Sequence, residues 1–110
     1  MTVRIAAVMT CHNRRDKTLT CLSTLAEQRD HEAVVDTYVV DDGSTDGTSA
    51  AIAKAFPDVT IIPGNGALYW APGMRRGLEV AQQHDYDYYL WLNDDTVLRP
   101  DALATLLHTS

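Results

Sequence analysis

The fold is decided by residues 34–48, which read VVDTYVVDDGSTDGT. Val34 to Val40 are mostly β-branched or aromatic residues, and they predict a strand. That strand ends in the acidic pair Asp41–Asp42, and the Gly, Ser, Thr and Asp residues behind the pair form turns through positive φ or side-chain hydrogen bonds. A helix from Ser49 to Phe56 follows. The stretch therefore predicts a strand–turn–helix unit with two carboxylates at the carboxyl end of the strand.

A second acidic strand end lies further along the chain. Residues 86–90 are mostly aromatic and predict a buried strand, and WLNDDT follows as residues 91–96. At the end of a strand the chain can turn, so Asp94 and Asp95 can approach one divalent cation whose other ligands are an anionic partner and water. A polar turn that caps the next helix is the plainer alternative. Two acidic ends on parallel strands favour a shared ligand crevice, because ligands bind there in open α/β sheets.

The rest of the chain alternates strand and helix. Val3 to Met9 is a continuous apolar strand of the kind that is buried on both faces of a parallel sheet. The remaining predicted elements are a helix capped by Asp16 and running to about Gln28, a strand from Val59 to Ile62, a helix from Pro72 to about His84, a strand from Tyr86 to Leu92 and a helix from Asp101 to His108. Repeated strand–helix units predict one α/β domain over residues 1–110, with a mostly parallel sheet flanked by helices.

Two tryptophans lie next to these elements. Trp91 falls within the apolar strand, which predicts that it packs in the core. Trp70 lies in the loop before the Pro72 helix, where core packing and contact with a sugar or a base are both compatible with the sequence. Asp46, in the turn after Asp42, is predicted to cap a helix.

Composition limits the function. The 110 residues carry 9 basic and 15 acidic side chains, a net charge of −6, which argues against a nucleic-acid or anionic-membrane partner. No stretch approaches the roughly 20 apolar residues of a membrane span, and Met1 to Ile5 do not resemble a signal peptide. Cys11 and Cys21 are predicted to be free thiols in a reducing cytoplasm, and two cysteines outside a CxxC pair do not indicate a zinc site.

Two other binding motifs are excluded by their spacing. A calcium loop that starts at Asp42 would need a glutamate at its twelfth position, where Ala53 stands. A dinucleotide-binding fold would need GxGxxG after the first strand, and Thr10 to Arg15 contain no glycine. The same lack of glycine disfavours a nucleotidyltransferase, which would ordinarily have a glycine-rich, basic loop after its first strand.

Four ordered segments resemble the amino-terminal half of a family 2 glycosyltransferase with the Rossmann-like GT-A fold. These segments are residues 8–14 (VMTCHNR), 40–48 (VDDGSTDGT), 65–77 (NGALYWAPGMRRG) and 92–95 (LNDD). The third and fourth are most similar to the rhamnosyltransferase-like branch, and the resemblance covers essentially the whole chain. It implies a truncated form of that fold, since family members continue for a hundred residues or more after the acidic motif, in a half that carries the acceptor site.

The resemblance also implies roles for nucleotide-binding residues. Thr10 and His12 would line the nucleobase pocket, although the family often has a tyrosine where His12 stands. Asp41 would accept a hydrogen bond from the base or the ribose, and Asp42 would support that loop. A carboxylate suits this role because it accepts hydrogen bonds strongly.

The second acidic pair is similar to the metal-binding DxD motif of the family. By that resemblance Asp94 would lie near the ribose or the donor sugar, and Asp95 would coordinate Mn²⁺ or Mg²⁺. The metal would bridge the diphosphate and stabilise the charge on the leaving group. Arg75 or Arg76 would contact the diphosphate or the sugar, although many relatives have asparagine near Arg75. The catalytic residue is not identified, because Asp101 is the only acidic residue after Asp95.

The implied activity is inverting, metal-dependent transfer of a sugar from a UDP- or dTDP-sugar to a hydroxyl of a glycan or lipid-linked acceptor. Rhamnosyl transfer for cell-envelope polysaccharide, in the cytoplasm or at the inner face of the membrane, is the narrower expectation. The alternative is a nucleotide-sugar-binding module without turnover that self-associates as a homo-oligomer or needs a partner. An uncovered sheet edge or helix face would favour such association.

Overall fold

The computed structural model describes residues 3–28 and 33–109 as an α/β unit with four strands and four helices in alternation. In chain order the elements are β1 (Val3–Cys11), α1 (Arg15–Ala26), β2 (Ala33–Asp42), α2 (Thr48–Ala55), β3 (Thr60–Gly64), α3 (Trp70–Ala81), β4 (Tyr88–Trp91) and α4 (Ala102–Thr109). None of the helices within the described residues is both long and apolar enough to cross a membrane.

The four strands form one sheet in the order β3-β2-β1-β4, and every pairing is parallel. The predicted α/β class with a parallel sheet is confirmed. The chain moves outward from β1 to β3 and then returns across β1 to add β4 on its other side. This reversal creates a switch point between β1 and β4, where open α/β sheets form their ligand crevices.

β1 is the central strand, and its side chains alternate between two cores. Ile5, Ala7 and Met9 face one core, whose other members come largely from α1, α2 and α4. Ala6 and Val8 face the second core, beneath α3. All seven residues from Ile5 to Cys11 are buried, which confirms the prediction that this apolar strand is covered on both faces.

α3 lies directly against β1 because two glycines on one helix face remove the side chains that would separate them. A Cβ atom at Gly73 would lie 2.6 Å from the side chain of Thr10, and one at Gly77 would lie 2.6 Å from Val8. This close approach holds the start of α3 against the carboxyl end of β1, beside the crevice.

The start of α1 differs from the sequence prediction. Asp16 does not cap this helix; it lies in the first turn, and the cap position is Arg14, which makes no capping hydrogen bond through its side chain. The cap is supplied from another loop, because Asp46 Oδ2 accepts a hydrogen bond from the N–H of Arg15 at 3.1 Å. Asp46 Oδ1 also accepts from the N–H of Thr48 at 3.2 Å, so one carboxylate serves the first turns of α1 and α2.

The last strand also differs from its prediction. β4 is shorter than the predicted strand and pairs only with β1 within the described residues, so it forms an edge of the sheet. The prediction that Trp91 packs in the core is wrong, because 50% of its surface is exposed and its ring makes an edge contact with Trp70 at 6.1 Å. The aromatic residues of β4 predict a buried strand, but the position of β4 at the edge of the sheet leaves their side chains accessible.

The contact between α3 and β1 yields the first prediction. At an exposed helix position Gly→Ala stabilises by about 1 kcal/mol. Gly77→Ala should instead destabilise the protein by about 1–3 kcal/mol, because the new methyl group overpacks against Val8. Urea unfolding measures the difference. In a Val8→Ala background the same substitution should cost much less, and an equal cost in both backgrounds would contradict the contact.

Candidate functional site

A cavity of about 420 Å³ lies at the switch point between β1 and β4. Its walls come from the carboxyl end of β1, the end of β2, the loop before α3 and the turn after β4. The lining residues are Thr10, Cys11, His12, Arg14, Asp42, Gly66, Tyr69, Trp70, Asn93, Asp94 and Asp95. The structure thus brings together five of the residues predicted from the sequence, namely Thr10, His12, Asp42, Asp94 and Asp95.

Asp42 holds the loop that forms one wall of the cavity. Its buried carboxylate accepts backbone hydrogen bonds from the N–H of Gly66 at 2.8 Å, of Leu68 at 3.1 Å and of Tyr69 at 3.0 Å. Burial alone would raise the pKa of Asp42, but these three donors outweigh it and hold the pKa below its usual value. The carboxylate therefore stays ionised and fixes the path of the chain into α3.

Asp41 points away from Asp42, because adjacent residues of a strand face opposite sides of the sheet. Its carboxylate accepts hydrogen bonds from the N–H of Ser44 at 3.1 Å and from the hydroxyl of Ser49. Asp41 is not among the residues that line the cavity. Its predicted contact with a base or a ribose stays a prediction.

His12 lies at the rim of the cavity with both ring nitrogens engaged. Its Nδ1 lies 2.5 Å from the carbonyl oxygen of Asp42, so Nδ1 carries the proton and donates. Its Nε2 is 3.3 Å from the amide nitrogen of Asn13, and the Asn13 oxygen accepts from the N–H of Thr45 at 2.7 Å. Asn13 takes a left-handed backbone conformation, with φ 52°, that ties the end of β1 to the loop after β2.

Thr10 is among the lining residues, and its hydroxyl is buried beside Gly73 of α3. Only 9% of this residue is exposed, and its Oγ1 has no hydrogen-bond partner within the described part of the chain. A buried hydroxyl without a partner is costly, and such groups in native structures call for an explanation, such as a ligand or a water molecule.

Asp94 and Asp95 both lie close to the guanidinium group of Arg14. Arg14 Nη1 is 3.8 Å from Asp94 Oδ1 and 3.8 Å from Asp95 Oδ2. The Asp94 side chain is only 13% exposed, and burial, together with the charge of Asp95, raises its pKa in spite of Arg14. Asp95 is half-exposed and accessible from the cavity.

The pair on its own does not form a complete metal site. Within residues 3–28 and 33–109, no group of three or more His, Cys, Asp or Glu side chains is placed to hold a metal ion. A divalent cation at Asp94 and Asp95 would take its remaining oxygen ligands from a bound phosphate and from water, as Mg²⁺ commonly does.

Sequence reasoning did not find Arg14 as a site residue. Arg14 follows β1, and Asp94 and Asp95 follow β4, while Val8 of β1 is paired with Trp91 of β4. Only this register brings residues 80 positions apart in the chain to the same edge of the sheet. The sequence signal that could have identified Arg14 is that it is a basic residue directly after the central strand.

Tyr69 and Trp70 form an aromatic part of the cavity wall. Tyr69 is 75% exposed and has φ 59° and ψ −169°, a conformation that is nearly confined to glycine. Its N–H is held by Asp42, and Trp70 begins α3 beside it. Arg75, by contrast, is exposed on α3 and does not line the cavity, so its predicted role at the diphosphate stays a prediction.

Comparison with known proteins gives one family. The family model for glycosyl transferase family 2 matches residues 6–109. An N-acetylglucosaminyltransferase of Rhizobium leguminosarum bv. viciae is 31% identical over 111 residues, covering 94% of this chain and 24% of that protein.

Solved structures share the fold. The mannosyltransferase PcManGT from Pyrobaculum calidifontis, solved with GDP-Man and Mn²⁺, superposes with a TM-score of 0.79 at 21% identity over 97% of this chain and 32% of that one. S. aureus TarS 1-349 in complex with UDP-GlcNAc gives a TM-score of 0.75 at 19% identity over 96% and 30%. The chain spans under a third of the length of each of these three relatives.

The Asp42 hydrogen bonds yield a stability prediction. Asp42→Asn should destabilise the protein by about 2 kcal/mol or more, because an amide replaces a carboxylate that accepts three backbone bonds. Its pKa is lowered on folding, so its contribution is present above the unfolded value of about 3.9 and is lost as pH falls through the lower folded value.

Unfolding of wild type and variant from pH 7 to pH 3 measures both effects. The difference in unfolding free energy should shrink towards the acid end. Asp101→Asn is a matched control, since that side chain is exposed and its substitution should change stability by less than about 0.5 kcal/mol. A difference between Asp42→Asn and wild type that grows on acidification would contradict the assignment.

The two thiols yield a reactivity prediction. Burial is the main cause that raises the pKa of Cys11 to about 12, and the charge of Asp41 adds to it. Burial is likewise the main cause that raises the pKa of Cys21 to about 11, and the charge of Asp94 adds to it. Because the thiolate is the reactive form, neither should react with a disulfide reagent at pH 8 in the folded protein. Both should react in denaturant. Rapid labelling under native conditions would show that one of the thiols is accessible.

Proposed function

The chain belongs to glycosyl transferase family 2, and on that premise we propose that the cavity between β1 and β4 binds the nucleoside diphosphate portion of a sugar donor. The reaction is transfer of the sugar from this donor to a hydroxyl group of an acceptor. The family is one of enzymes.

One observation carries the proposal. A polar strand end, Thr10 and His12, and an acidic pair, Asp94–Asp95, line the same cavity at the switch point of the sheet. The first is suited to a neutral polar ligand such as a base, and the second to a cation that accompanies a diphosphate. A nucleoside diphosphate combines both chemistries in one molecule.

Different residues contact different parts of the donor. Thr10 and His12 contact the base, and Asp42 keeps the adjoining loop in place. Asp41 reaches the base or ribose only by sharing the bonds it makes to Ser44 and Ser49. Asp94 lies towards the ribose or the donor sugar.

Asp95 is the residue that holds the divalent cation. Its carboxylate is half-exposed at the cavity, and hard cations such as Mn²⁺ and Mg²⁺ take carboxylate and phosphate oxygens as ligands. When bound, such an ion stabilises negative charge on the departing diphosphate. The Pyrobaculum mannosyltransferase, which was solved with GDP-Man and Mn²⁺, supports this choice by likeness of fold. Arg75 would have to reach the diphosphate from an exposed position on α3.

We assign inversion, a glycan or lipid-linked acceptor, and rhamnosyl transfer from UDP- or dTDP-rhamnose for cell-envelope polysaccharide. The relatives found bear the names of N-acetylglucosaminyl- and mannosyltransferases, so the sugar rests on the sequence motifs alone. The two free, buried thiols support a reducing compartment, which we take to be the cytoplasm or the inner face of its membrane.

A second candidate is a nucleotide-sugar-binding module without turnover. It is favoured by the state of the carboxylates that line the cavity in the described part of the chain. Asp42 is bound to backbone groups, and Asp94 and Asp95 face Arg14, so none of the three is free to act as a general base. The exposed aromatic edge at β4 is also suited to a partner or a second copy. Donor hydrolysis separates the candidates, because only the enzyme releases free sugar from its donor.

The proposal predicts metal-dependent stabilisation by one nucleotide. Thermal unfolding with UDP, dTDP, GDP or CDP, with and without Mn²⁺, should show one diphosphate that raises the Tm only when the metal is present. A ligand at one hundred times its Kd stabilises the folded state by about 2.7 kcal/mol. Asp95→Ala should abolish the shift.

Asp101→Ala is the matched control, because it removes an exposed carboxylate that does not line the cavity. This variant should retain the full shift. Absence of a shift with every nucleotide in the wild type would overturn the donor-site assignment for this chain.

A further inference from the structure

Arg14 is placed where it competes with a cation. Its guanidinium lies at equal distances, 3.8 Å, from one oxygen of Asp94 and one of Asp95. We propose that Arg14 is an internal counter-ion that neutralises this pair in the free protein and turns to the diphosphate when a divalent cation takes its place. This inference rests on the proposed function for the role of the diphosphate, but the competition itself concerns only Arg14, the acidic pair and the cation.

The contacts that Arg14 makes are weak enough to be exchanged. Charge-assisted hydrogen bonds between guanidinium and carboxylate are commonly about 2.7–2.9 Å long, and both distances here are well beyond that. The side chains of Arg14 and Asp95 are each half-exposed, so water and salt screen their attraction. A divalent cation in direct contact with the carboxylates would bind them more strongly than this guanidinium does.

Only the side chain of Arg14 has to move. Its carbonyl oxygen accepts the first hydrogen bond of α1, from the N–H of Thr18 at 2.9 Å. The neighbouring backbone is held on both sides, because the N–H of Asn13 donates to Ser44 at 2.9 Å and that of Arg15 donates to Asp46 at 3.1 Å. A fixed backbone with a long, half-exposed side chain permits rotation without a change of fold.

The cavity offers the displaced guanidinium a new partner. Arg14 lines the same cavity as Thr10 and His12, and a guanidinium can donate two parallel hydrogen bonds to phosphate oxygens. A cation at Asp94 and Asp95 would therefore release Arg14 to the diphosphate, whereas a cation without a nucleotide would have to displace Arg14 with no new partner for it. Cation and nucleotide should each raise the affinity for the other.

The affinity for Mn²⁺ alone tests the competition. Free Mn²⁺ is measured from its electron paramagnetic resonance signal during titration of wild type, Arg14→Met and Arg15→Met. Arg14→Met should bind Mn²⁺ roughly two- to five-fold more tightly than wild type, the range expected for loss of an exposed ion pair. Arg15→Met removes the same charge one residue further on, where the guanidinium pairs with Asp16 instead, and it should change the affinity less.

Three results would overturn the competition. They are equal or weaker Mn²⁺ binding in Arg14→Met than in wild type, an equal gain in Arg15→Met, and no Mn²⁺ binding by Arg14→Met. Arg14→Lys is a second variant that keeps the charge without the planar fork, and it should bind Mn²⁺ nearly as wild type does. Near- and far-ultraviolet circular dichroism checks that all variants fold.

The coupling is tested by repeating the Mn²⁺ titrations with the diphosphate, among UDP, dTDP, GDP and CDP, that stabilises the wild type most. In the wild type the nucleotide should increase Mn²⁺ affinity by about fivefold or more, and Arg14→Met should show a smaller increase, because the cation still contacts the diphosphate but the guanidinium contact is lost. A full increase in Arg14→Met would overturn the transfer to the diphosphate. If no nucleotide binds any variant, the proposed function fails and the transfer fails with it, while the titrations with Mn²⁺ alone still decide the competition.

Discussion

The carboxylate of Asp42 is the constraint on which the cavity depends. It lies at the carboxyl end of β2 and accepts hydrogen bonds from the backbone N–H groups of Gly66, Leu68 and Tyr69. Without these bonds the loop would leave three buried or half-buried donors to be satisfied by water, and the entry into α3 would not be defined. α3 then packs on β1 through its glycines, and Trp70 at the start of α3 lines the same cavity as the acidic turn after β4. One wall of the cavity is therefore fixed by an ionised side chain that stabilises the main chain.

The architecture could be predicted from the sequence because its signals are local. The apolar run of β1, the β-branched run of β2 and the turn residues after Asp42 each follow from residue type and period. The parallel sheet followed from their alternation with helices, and the structure confirms it. The start of α1 could not be predicted, because its first turn is capped by Asp46, 31 positions from Arg15.

The sequence predicted only part of the site, because the rest depends on how distant parts of the chain pair. Two acidic strand ends indicated the crevice, and Asp94 and Asp95 do line it. The sequence does not show which of Asp41 and Asp42 faces α3, since that depends on the register and side of the strand. Trp91 was expected in the core because an edge strand and a central strand have the same local pattern. Arg14 was missed because its contact with Asp94 and Asp95 exists only through the pairing of β1 with β4.

The use of backbone donors by Asp42 has a consequence for how such a protein can diversify. An N–H group is common to every residue except proline, so the bonds to positions 68 and 69 do not depend on which side chains stand there. Gly66, with φ 91°, Gly64, where a Cβ atom would lie 2.7 Å from the Asp42 carboxylate, and Asp42 itself tolerate little change. Side chains at the mouth of the cavity can be exchanged by mutation while the loop keeps its path. New ligand preferences can thus arise on an unchanged scaffold, without a loss of stability that selection would first have to repair.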